Sequence, residues 1–282
     1  MKKKLVYTLL FIGFAAICLQ AELIASDDFN SYSIGELNSK GTISSGWQST
    51  WSAATGSNVV NGGLSYSGGD ISINGGSQAL SITGSNNYQL NRQFDTFGTS
   101  SGEDAIYFSF LFRQVSGTPA DFLNFTLDKD QDYELGSGIG DLSGTQAEFS
   151  ARVKYTVQAS ETVSYTSSET YLLVGRVSRD GDDGDRTHPL RFDQIELWVN
   201  PTSSSLGTAD VIFDSSSGMN DISYFGLRSA NIGSGDEYLI DELRIGTDFS
   251  SIVIPEPSSL LLLGIGLVLA RMGVARRITT RS

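Results

Sequence analysis

The chain has 282 residues, a net charge of −13 at pH 7 and 39% hydrophobic residues. Residues 22–254 hold 31 of the 32 acidic residues but only 12 of the 19 basic ones, so we expect no binding to nucleic acid or to acidic lipid head groups. A single cysteine, Cys18, and a single histidine, His188, exclude disulfides within the chain and metal centres with several Cys or His ligands.

The first 21 residues have the pattern of a secretory signal peptide. Lys2, Lys3 and Lys4 are followed by an apolar run at residues 5–19 and by the small residue Ala21. We predict cleavage after Ala21 or, as an alternative, after Ala25. An uncleaved membrane anchor is disfavoured because the apolar run is short for a span. Export by the Sec translocon and processing by signal peptidase follow from this prediction.

Residues 22–253 alternate between apolar and polar side chains, with interruptions rich in Gly, Ser, Asn and Asp. This pattern is typical of short antiparallel strands joined by turns. The clearest prediction is one strand at residues 149–157, with Phe149 and Ala151 on its buried face and Ser150 and Arg152 on its solvent-exposed face.

Two strongly apolar segments, residues 106–112 and 123–127, are predicted to be neighbouring strands joined by the turn at residues 117–119. Further strands are predicted at residues 171–177, 194–199, 210–213, 224–229 and 238–245. No repeat of fixed length is present, and no helical period of useful length occurs outside the two ends. The sequence therefore predicts an all-β protein, a two-sheet antiparallel β-sandwich of the jelly-roll type.

One loop between predicted strands is rich in carboxylates. These are Asp180, Asp182, Asp183 and Asp185. Oxygen ligands at alternate positions and flexible glycines suit Ca²⁺, but the flanking Arg179 and Arg186 offset part of the charge. The loop is thus either a calcium site or a solvated hairpin tip.

A second acidic stretch, residues 128–134, begins like an EF-hand loop. Tyr133 occupies the position of the required glycine, and Ile139 occupies the position of the closing acid. We interpret this stretch as the polar end of a strand.

Catalytic groups are sparse. Glycoside hydrolysis needs two carboxylates at a defined separation, and the nearest candidates are Glu237, Asp241 and Glu242. Adjacent residues of a strand point to opposite faces, and His188 has no Gly-x-Ser-x-Gly nucleophile elbow to act with. We expect no enzymatic activity, with a polysaccharide hydrolase or lyase as an alternative.

Three tryptophans, Trp47, Trp51 and Trp198, have two possible roles. Exposed indole rings stack against sugars, whereas buried ones pack in the core, which is the commoner fate of tryptophan in a sandwich. The sequence leaves both roles open.

The C-terminal segment, residues 254–282, has three parts. A Pro255-Glu256-Pro257 motif precedes an apolar run at residues 258–270, and basic residues follow. These basic residues are Arg271, Arg276 and Arg277, with Arg281 beyond them. The prolines keep the motif extended, the apolar run predicts a marginal membrane helix, and the arginines predict a cytoplasmic C-terminus. A plain tail anchor is the alternative.

This tail resembles the PEP-CTERM sorting signal of Gram-negative bacteria that build extracellular polymer matrices. The resemblance implies an exosortase, a membrane-embedded protease that recognises Pro255, Glu256 and Pro257 and removes the helix. It also implies a transient stage in the inner membrane before the protein reaches the cell surface or the extracellular matrix.

The middle of the chain resembles the concanavalin A-like or laminin-G-like jelly rolls. The matching pieces are the opening at residues 28–37 with Trp47 and Trp51, the hairpin of residues 171–177 with 195–201, and the closing segment at residues 238–246. The resemblance implies a fold and an extracellular location, but it implies no activity.

The sequence thus predicts an exported structural or adhesive component of a polysaccharide matrix, without enzymatic activity. The alternatives are a carbohydrate-binding module, which could depend on calcium, and an enzyme that acts on polysaccharide. Extracellular polysaccharide is the expected partner.

Overall fold

The computed structural model describes the middle of the chain. The described residues are 22–84, 89–98, 104–118, 121–130, 135–139, 148–153, 156–179, 191–203, 205–214, 218–230 and 232–253. Within these ranges the chain forms β-strands and one short helix, α1 (Phe249–Val253). The strands are β1 (Leu23–Asp27), β2 (Gly35–Glu36), β3 (Ser52–Ala53), β4 (Ser57–Asn61), β5 (Ser65–Gly68), β6 (Ile71–Asn74), β7 (Gln78–Thr83), β8 (Gln89–Gly98), β9 (Ala105–Ser116), β10 (Phe122–Asp128), β11 (Leu135–Ile139), β12 (Glu148–Val153), β13 (Thr156–Ser164), β14 (Thr170–Ser178), β15 (Gln194–Val199), β16 (Val211–Asp214), β17 (Asp221–Ala230) and β18 (Glu237–Gly246).

Two antiparallel sheets form the body of the protein. In the described ranges the larger sheet has nine strands, ordered β16-β15-β14-β9-β18-β7-β4-β2, with β1 also paired to β18. The smaller sheet has seven strands, ordered β13-β12-β11-β10-β17-β8-β3. A hairpin of β5 and β6 is separate from both. The fold is the predicted all-β, two-sheet antiparallel β-sandwich of the jelly-roll type.

One apolar core lies between the two sheets. Every second side chain of a strand points to the same face, so Phe108, Phe110 and Phe112 of β9 all enter this core. Each of the three is at most 1% exposed. Strands β14 and β15 pair as a hairpin, with Val174 opposite Trp198, as the sequence predicts.

The predicted pairing of residues 106–112 with residues 123–127 is wrong. Strand β9 pairs with β14 and β18 in the larger sheet, whereas β10 pairs with β11 and β17 in the smaller sheet. The two strands face each other across the core, where the ring centroids of Phe110 and Phe125 are 3.9 Å apart. Alternation shows that a strand is buried on one face, but it does not identify the neighbouring strand.

The predicted single strand at residues 149–157 is also wrong. Strands β12 and β13 pair antiparallel, with Val153 opposite Thr156, so the chain reverses direction between these two residues. No Gly, Pro, Asn or Asp occurs between them to mark a turn, which is why the alternation reads as continuous. Ser150 and Arg152, which were predicted to be exposed to solvent, are each 1% exposed.

A second apolar layer covers the outer face of the larger sheet. Leu111, Leu172 and Trp198 point away from the main core and pack with side chains of the β5–β6 hairpin and of α1. The hydroxyl of Ser109 donates to the carbonyl of Ile252 at 2.8 Å and so holds α1 against the sheet. Across the described part of the chain, no helix is both long and apolar enough to cross a membrane.

Candidate functional site

The outer face of the smaller sheet is polar where the strands run through the middle of the sheet. Leu123, Phe125 and Leu127 of β10 enter the core, so the alternating residues of β10 point outward. The polar sheet face, as we name this surface, consists of Asn91, Gln93, Asn124, Thr126, Asp128, Ser150, Arg152, Tyr224 and Arg228.

The strand register arranges these residues in rows across the sheet. In one row Asn124 lies opposite Arg228, and in the next Thr126 lies opposite Gly226, which in turn lies opposite Asn91. A third row places Asp128 opposite Tyr224.

Two glycines of β11 continue these rows toward β12. Thr126 lies opposite Gly136 and Asn124 lies opposite Gly138 on β11. Gly136 in turn lies opposite Arg152, and Gly138 lies opposite Ser150. The guanidinium carbon of Arg152 is 5.6 Å from the ring centroid of Phe122, another outward residue of β10. The polar sheet face therefore crosses the strands from β12 to β8.

Burial varies across the polar sheet face. Asn124, Thr126 and Asp128 are at most 1% exposed, whereas Tyr224 and Arg228 are half-buried. The Oδ1 and Nδ2 atoms of Asn124 are both buried, and neither has a hydrogen-bond partner among the residues that the structure describes. A buried polar group without a partner costs about 1–3 kcal/mol, so this side chain calls for a ligand or a bound water as an explanation.

Arg228 is the accessible cation of the polar sheet face. Among the residues that the structure describes, its guanidinium has no hydrogen bond and no ion pair. Arg152 and Asp128, in contrast, are buried and already have partners. Arg228 is consequently available for an anion that comes from outside the protein.

A second candidate is a cavity of about 340 Å³ next to β1, lined mainly by hydroxyl and charged groups. Its floor is a buried ion pair, in which Arg92 Nη1 donates to Asp27 Oδ2 at 2.5 Å. Tyr32 Oη and Trp51 Nε1 donate to the same carboxylate oxygen at 2.5 and 2.8 Å. Burial raises the pKa of Asp27, and these donors and the Arg92 charge act in the opposite direction.

The contacts of that ion pair point to a structural role. Arg92 also donates to the backbone carbonyls of Thr42 and Ser49 at 2.9 and 3.0 Å, so it holds the long segment between β2 and β3. Its guanidinium carbon lies 4.5 Å from the ring centroid of Trp47, which is a cation–π contact.

The three tryptophans are buried, and the sugar-stacking role left open by the sequence does not fit this packing. Trp47 and Trp51 are each 1% exposed and Trp198 is 7% exposed, so no indole presents a face to solvent. Trp47 Nε1 donates to the carbonyl of Ser26 at 2.7 Å, and Trp198 Nε1 donates to the carbonyl of Gly207 at 2.9 Å.

The acidic pair of β18 is held by backbone groups. The carboxylate of Asp241, which is 0% exposed, accepts the amide N–H groups of Leu64 at 2.9 Å and Glu242 at 2.8 Å. Burial raises its pKa to about 8. Glu242 has a positive φ of 51° at an irregularity of β18 and pairs with Arg244 at 2.8 Å. The two carboxylates therefore have separate partners.

Several predicted site residues lie outside the described ranges. They are Asp180, Asp182, Asp183 and Asp185, His188, Pro255, Glu256 and Pro257, and Arg271, Arg276 and Arg277. Within the described ranges, no three side chains of His, Cys, Asp or Glu come together to hold a metal ion. The calcium site of the acidic loop stays a prediction.

The polar sheet face was missed in the sequence, although a signal was present. The alternation that placed Leu123, Phe125 and Leu127 on one side of a strand also placed Asn124 and Thr126 together on the other. A wet face without function produces the same alternation. Only the burial of Asn124 and the register with Arg228 distinguish this face from an ordinary solvated one.

Residues 253–277 match the PEP-CTERM protein-sorting motif. No curated protein matches the chain. Three solved structures are similar to it. The T. cruzi calreticulin globular domain is 11% identical, and the match covers 70% of this chain and 84% of that chain with a TM-score of 0.42. The Emp47p carbohydrate recognition domain is 11% identical, and the match covers 81% of this chain and 97% of that chain with a TM-score of 0.43. The alginate lyase Aly36B is 13% identical, and the match covers 78% of this chain and 95% of that chain with a TM-score of 0.45. Similarity at this level does not extend to ligand or activity.

Proposed function

We propose that this chain is exported, is sorted by an exosortase, and then acts outside the cell as an adhesive, non-enzymatic component of a polysaccharide matrix. The observation that carries the proposal is the PEP-CTERM motif at residues 253–277, which indicates export and sorting to the cell surface of a Gram-negative bacterium. The motif begins at Val253, the last residue of α1, which is 2% exposed. The sorting signal thus follows the folded sandwich directly.

The route to the surface involves several partners. The Sec translocon and signal peptidase would act on residues 1–21, and the C-terminal helix would hold the protein transiently in the inner membrane. The exosortase would then recognise Pro255, Glu256 and Pro257, while Arg271, Arg276 and Arg277 remain on the cytoplasmic side.

The polar sheet face supports an adhesive role. Tyr224 and Arg228, two half-buried residues of this face, provide a hydroxyl and a guanidinium group of the kind that polyhydroxylated polymers require as hydrogen-bond partners. Calcium at the loop of Asp180, Asp182, Asp183 and Asp185 would make such binding calcium-dependent. A chelator added to a binding assay tests that variant of the proposal.

The partners of the acidic pair support the non-enzymatic part of the proposal. Asp241 is 0% exposed and accepts two backbone amides, and Glu242 is 7% exposed and pairs with Arg244, so neither is placed to meet a substrate as the acid or base that glycoside hydrolysis needs. Release of reducing ends or unsaturated products from a panel of matrix polysaccharides would contradict this part.

Sorting is tested in the producing bacterium, with and without its exosortase. We expect that the wild-type protein loses its tail, and that loss of the exosortase or the change Glu256→Ala leaves the full tail in the membrane fraction. Glu36→Ala removes the same charge from an exposed strand residue and should not change processing. Tail removal in the absence of the exosortase would contradict the proposal.

A further inference from the structure

We propose that the cavity next to β1 binds an amino sugar, a sugar unit with a free ammonium group, and that Asp28 is the residue that meets the ammonium. This inference rests on the proposed adhesive function and names its ligand class. Three features of the described residues carry it: exposed polar groups that converge on one cavity, a carboxylate in excess over the cations, and walls that are held in place before a ligand arrives.

The cavity is open to solvent and has the size of a small-molecule site. Its volume of about 340 Å³ lies at the lower end of the range for such sites, so it admits a sugar unit. Its walls come from β1, from the segments on either side of β2, and from β18. The exposed lining residues, which a ligand can reach, are Asp28, Ser31, Thr42, Ser44 and Ser45.

The cavity has one carboxylate more than it has cations. Two ion pairs lie in its lining, Arg92 with Asp27 at 2.5 Å and Arg244 with Glu242 at 2.8 Å. Asp28 is the remaining charged residue of the lining, and it has no ion pair in the described part of the chain. The charge of Asp28 is therefore the one that a cationic ligand can balance.

Two carboxylate oxygens of the lining are available to an amine. Asp28 accepts the backbone amide of Asn30 at 3.0 Å through Oδ1, and its Oδ2 has no hydrogen bond within the described ranges. Glu242 uses Oε2 for Arg244, and its Oε1 has no partner in those ranges. An ammonium group donates up to three hydrogen bonds, and carboxylate oxygens are strong acceptors for them.

The hydroxyl groups of the rim suit the rest of a sugar. Thr42 Oγ1 and Ser44 Oγ lie 2.6 Å apart, and the hydroxyls of Ser31 and Ser45 belong to the same lining. Each of these groups can donate and accept a hydrogen bond, as sugar hydroxyls can. The cavity therefore offers partners to the hydroxyls of a sugar as well as to its amine.

The buried ion pair below the cavity fixes its walls. Arg92 is 2% exposed and donates to the backbone carbonyls of Thr42 and Ser49 at 2.9 and 3.0 Å. The backbone amide of Ser26 donates to the carbonyl of Ser45 at 3.3 Å and ties the same segment to β1. Walls that are fixed in advance lose less conformational entropy when a ligand binds, so the structural role of Arg92 also favours binding.

The charge of the whole protein favours a cationic sugar. Residues 22–254 hold 31 acidic and 12 basic residues, and such an excess attracts cations and repels anions at long range. An acidic sugar is repelled, and a neutral sugar gains nothing from this attraction. An amino sugar is the class that both the cavity and the overall charge favour.

The experiment measures the affinity of the matured, exported protein for trisaccharides of glucosamine, N-acetylglucosamine and glucose that share one linkage. The buffer is at about pH 6, below the pKa of an amine. It contains physiological salt to screen distant charges and EDTA to remove divalent cations. We expect the glucosamine trisaccharide to bind at least about fivefold more tightly than the two neutral ones, which lack the ion pair with Asp28.

Asp28→Asn removes the unbalanced charge and should lower the affinity for the glucosamine trisaccharide about fivefold. Asp248→Asn is the matched control, because Asp248 is also exposed, does not line the cavity, and accepts a backbone amide two residues ahead, that of Ser250 at 2.7 Å. The control removes the same charge from the protein and should leave the affinity unchanged.

A second pair of variants tests the cavity itself. Ser44→Trp places a large side chain at the lining and should abolish binding of the glucosamine trisaccharide. Thr50→Trp, at an exposed residue of the same segment that does not line the cavity, should leave the affinity unchanged. Thermal unfolding confirms that each variant is folded.

The outcomes separate the two proposals. Equal affinity for the three trisaccharides, equal losses in Asp28→Asn and Asp248→Asn, or full binding in Ser44→Trp would overturn the amino-sugar site. If the matrix polysaccharide still retains the protein, the adhesive function stands. Absence of binding to all three trisaccharides and to the native matrix polysaccharide would overturn both.

Discussion

The backbone amide of Thr247 donates to the carbonyl of Glu22 at 3.0 Å, and the backbone amide of Glu22 donates to the hydroxyl of Thr247 at 3.1 Å. This contact joins the first described residue to the end of β18. Strand β1 continues the pairing, with Ala25 opposite Ile245. The two ends of the sandwich therefore lie side by side, close to both predicted processing points.

This contact predicts where the signal peptide is cut. Cleavage after Ala21 leaves Glu22 as the first residue and keeps all of β1, whereas cleavage after Ala25 removes the first three residues of the strand. Ala25 is 1% exposed and lies in the core, so its loss would leave a gap there. We expect the intact mass and N-terminal sequence of the exported protein to begin at Glu22. A mature protein that begins at Ser26 would contradict this reasoning.

The ion pair of Asp27 and Arg92 predicts a large loss of stability in Arg92→Met. The substitution leaves the Asp27 carboxylate buried without its cation, which costs about 3–5 kcal/mol, and it removes the contact with Trp47. Urea unfolding of the exported protein measures the change. Arg113→Met, at a half-buried arginine without an ion pair in the described part of the chain, should cost much less. Equal losses in the two variants would show that the pair contributes nothing specific.

The sequence predicts the strands better than their neighbours. The hairpin of β14 and β15 was predictable because the two apolar segments match a hairpin of the laminin-G-like jelly rolls and the segment between them is rich in Gly and Asp. The separation of β9 and β10 into different sheets was not predictable, because the sequence of each strand shows only that one of its faces is buried. The reversal between Val153 and Thr156 was missed because no turn-forming residue marks it.

The buried amide of Asn124, which has no side-chain partner among the described residues, predicts a variant that is more stable than the wild type. Asn124→Leu replaces a buried, unsatisfied amide by an apolar group of similar size, which should raise the free energy of unfolding by about 1–3 kcal/mol. Denaturant unfolding of wild type and variant measures the change.

Asn91→Leu is the control for that variant. Asn91 lies on the same face and is 9% exposed, but it already has a partner, so its replacement should lower stability. If Asn124→Leu also lowers stability, the amide of Asn124 makes a stabilising contact and the prediction is wrong.

The buried carboxyl of Asp241 predicts a pH dependence of stability. Burial raises its pKa from 3.8 to about 8, so between these values the folded state holds a proton that the unfolded state loses. The contribution of Asp241 is then greatest at about pH 4 and declines toward pH 8, by at most about 1.4 kcal/mol per pH unit.

The measurement compares wild type with Asp241→Asn, which cannot titrate, by urea unfolding at several pH values. The stability of wild type relative to the variant should fall steadily between pH 4 and pH 8. Asp214→Asn, at an exposed position of β16, controls for the loss of one negative charge. A difference between wild type and Asp241→Asn that stays constant with pH would mean that Asp241 is ionised throughout this range.

The candidate site could not be derived from the sequence for a physical reason. Polar residues at alternate positions of a strand usually face water, so Asn124, Thr126 and Arg152 are indistinguishable in sequence from an ordinary wet face. Their burial depends on what lies above the sheet, and the pairing of Asn124 with Arg228 joins residues about a hundred positions apart. The sorting motif, in contrast, is local, and the match at residues 253–277 confirms it.

The most direct test follows the protein in its own extracellular matrix. Cells that produce the chain are fractionated, and the matrix is then digested with polysaccharide-degrading enzymes. We expect the protein outside the cell, with both ends cut, bound to the matrix and released when the polysaccharide is degraded. A full-length, uncut chain in the cytosol, or an extracellular protein whose retention does not change on digestion, would contradict the proposed function.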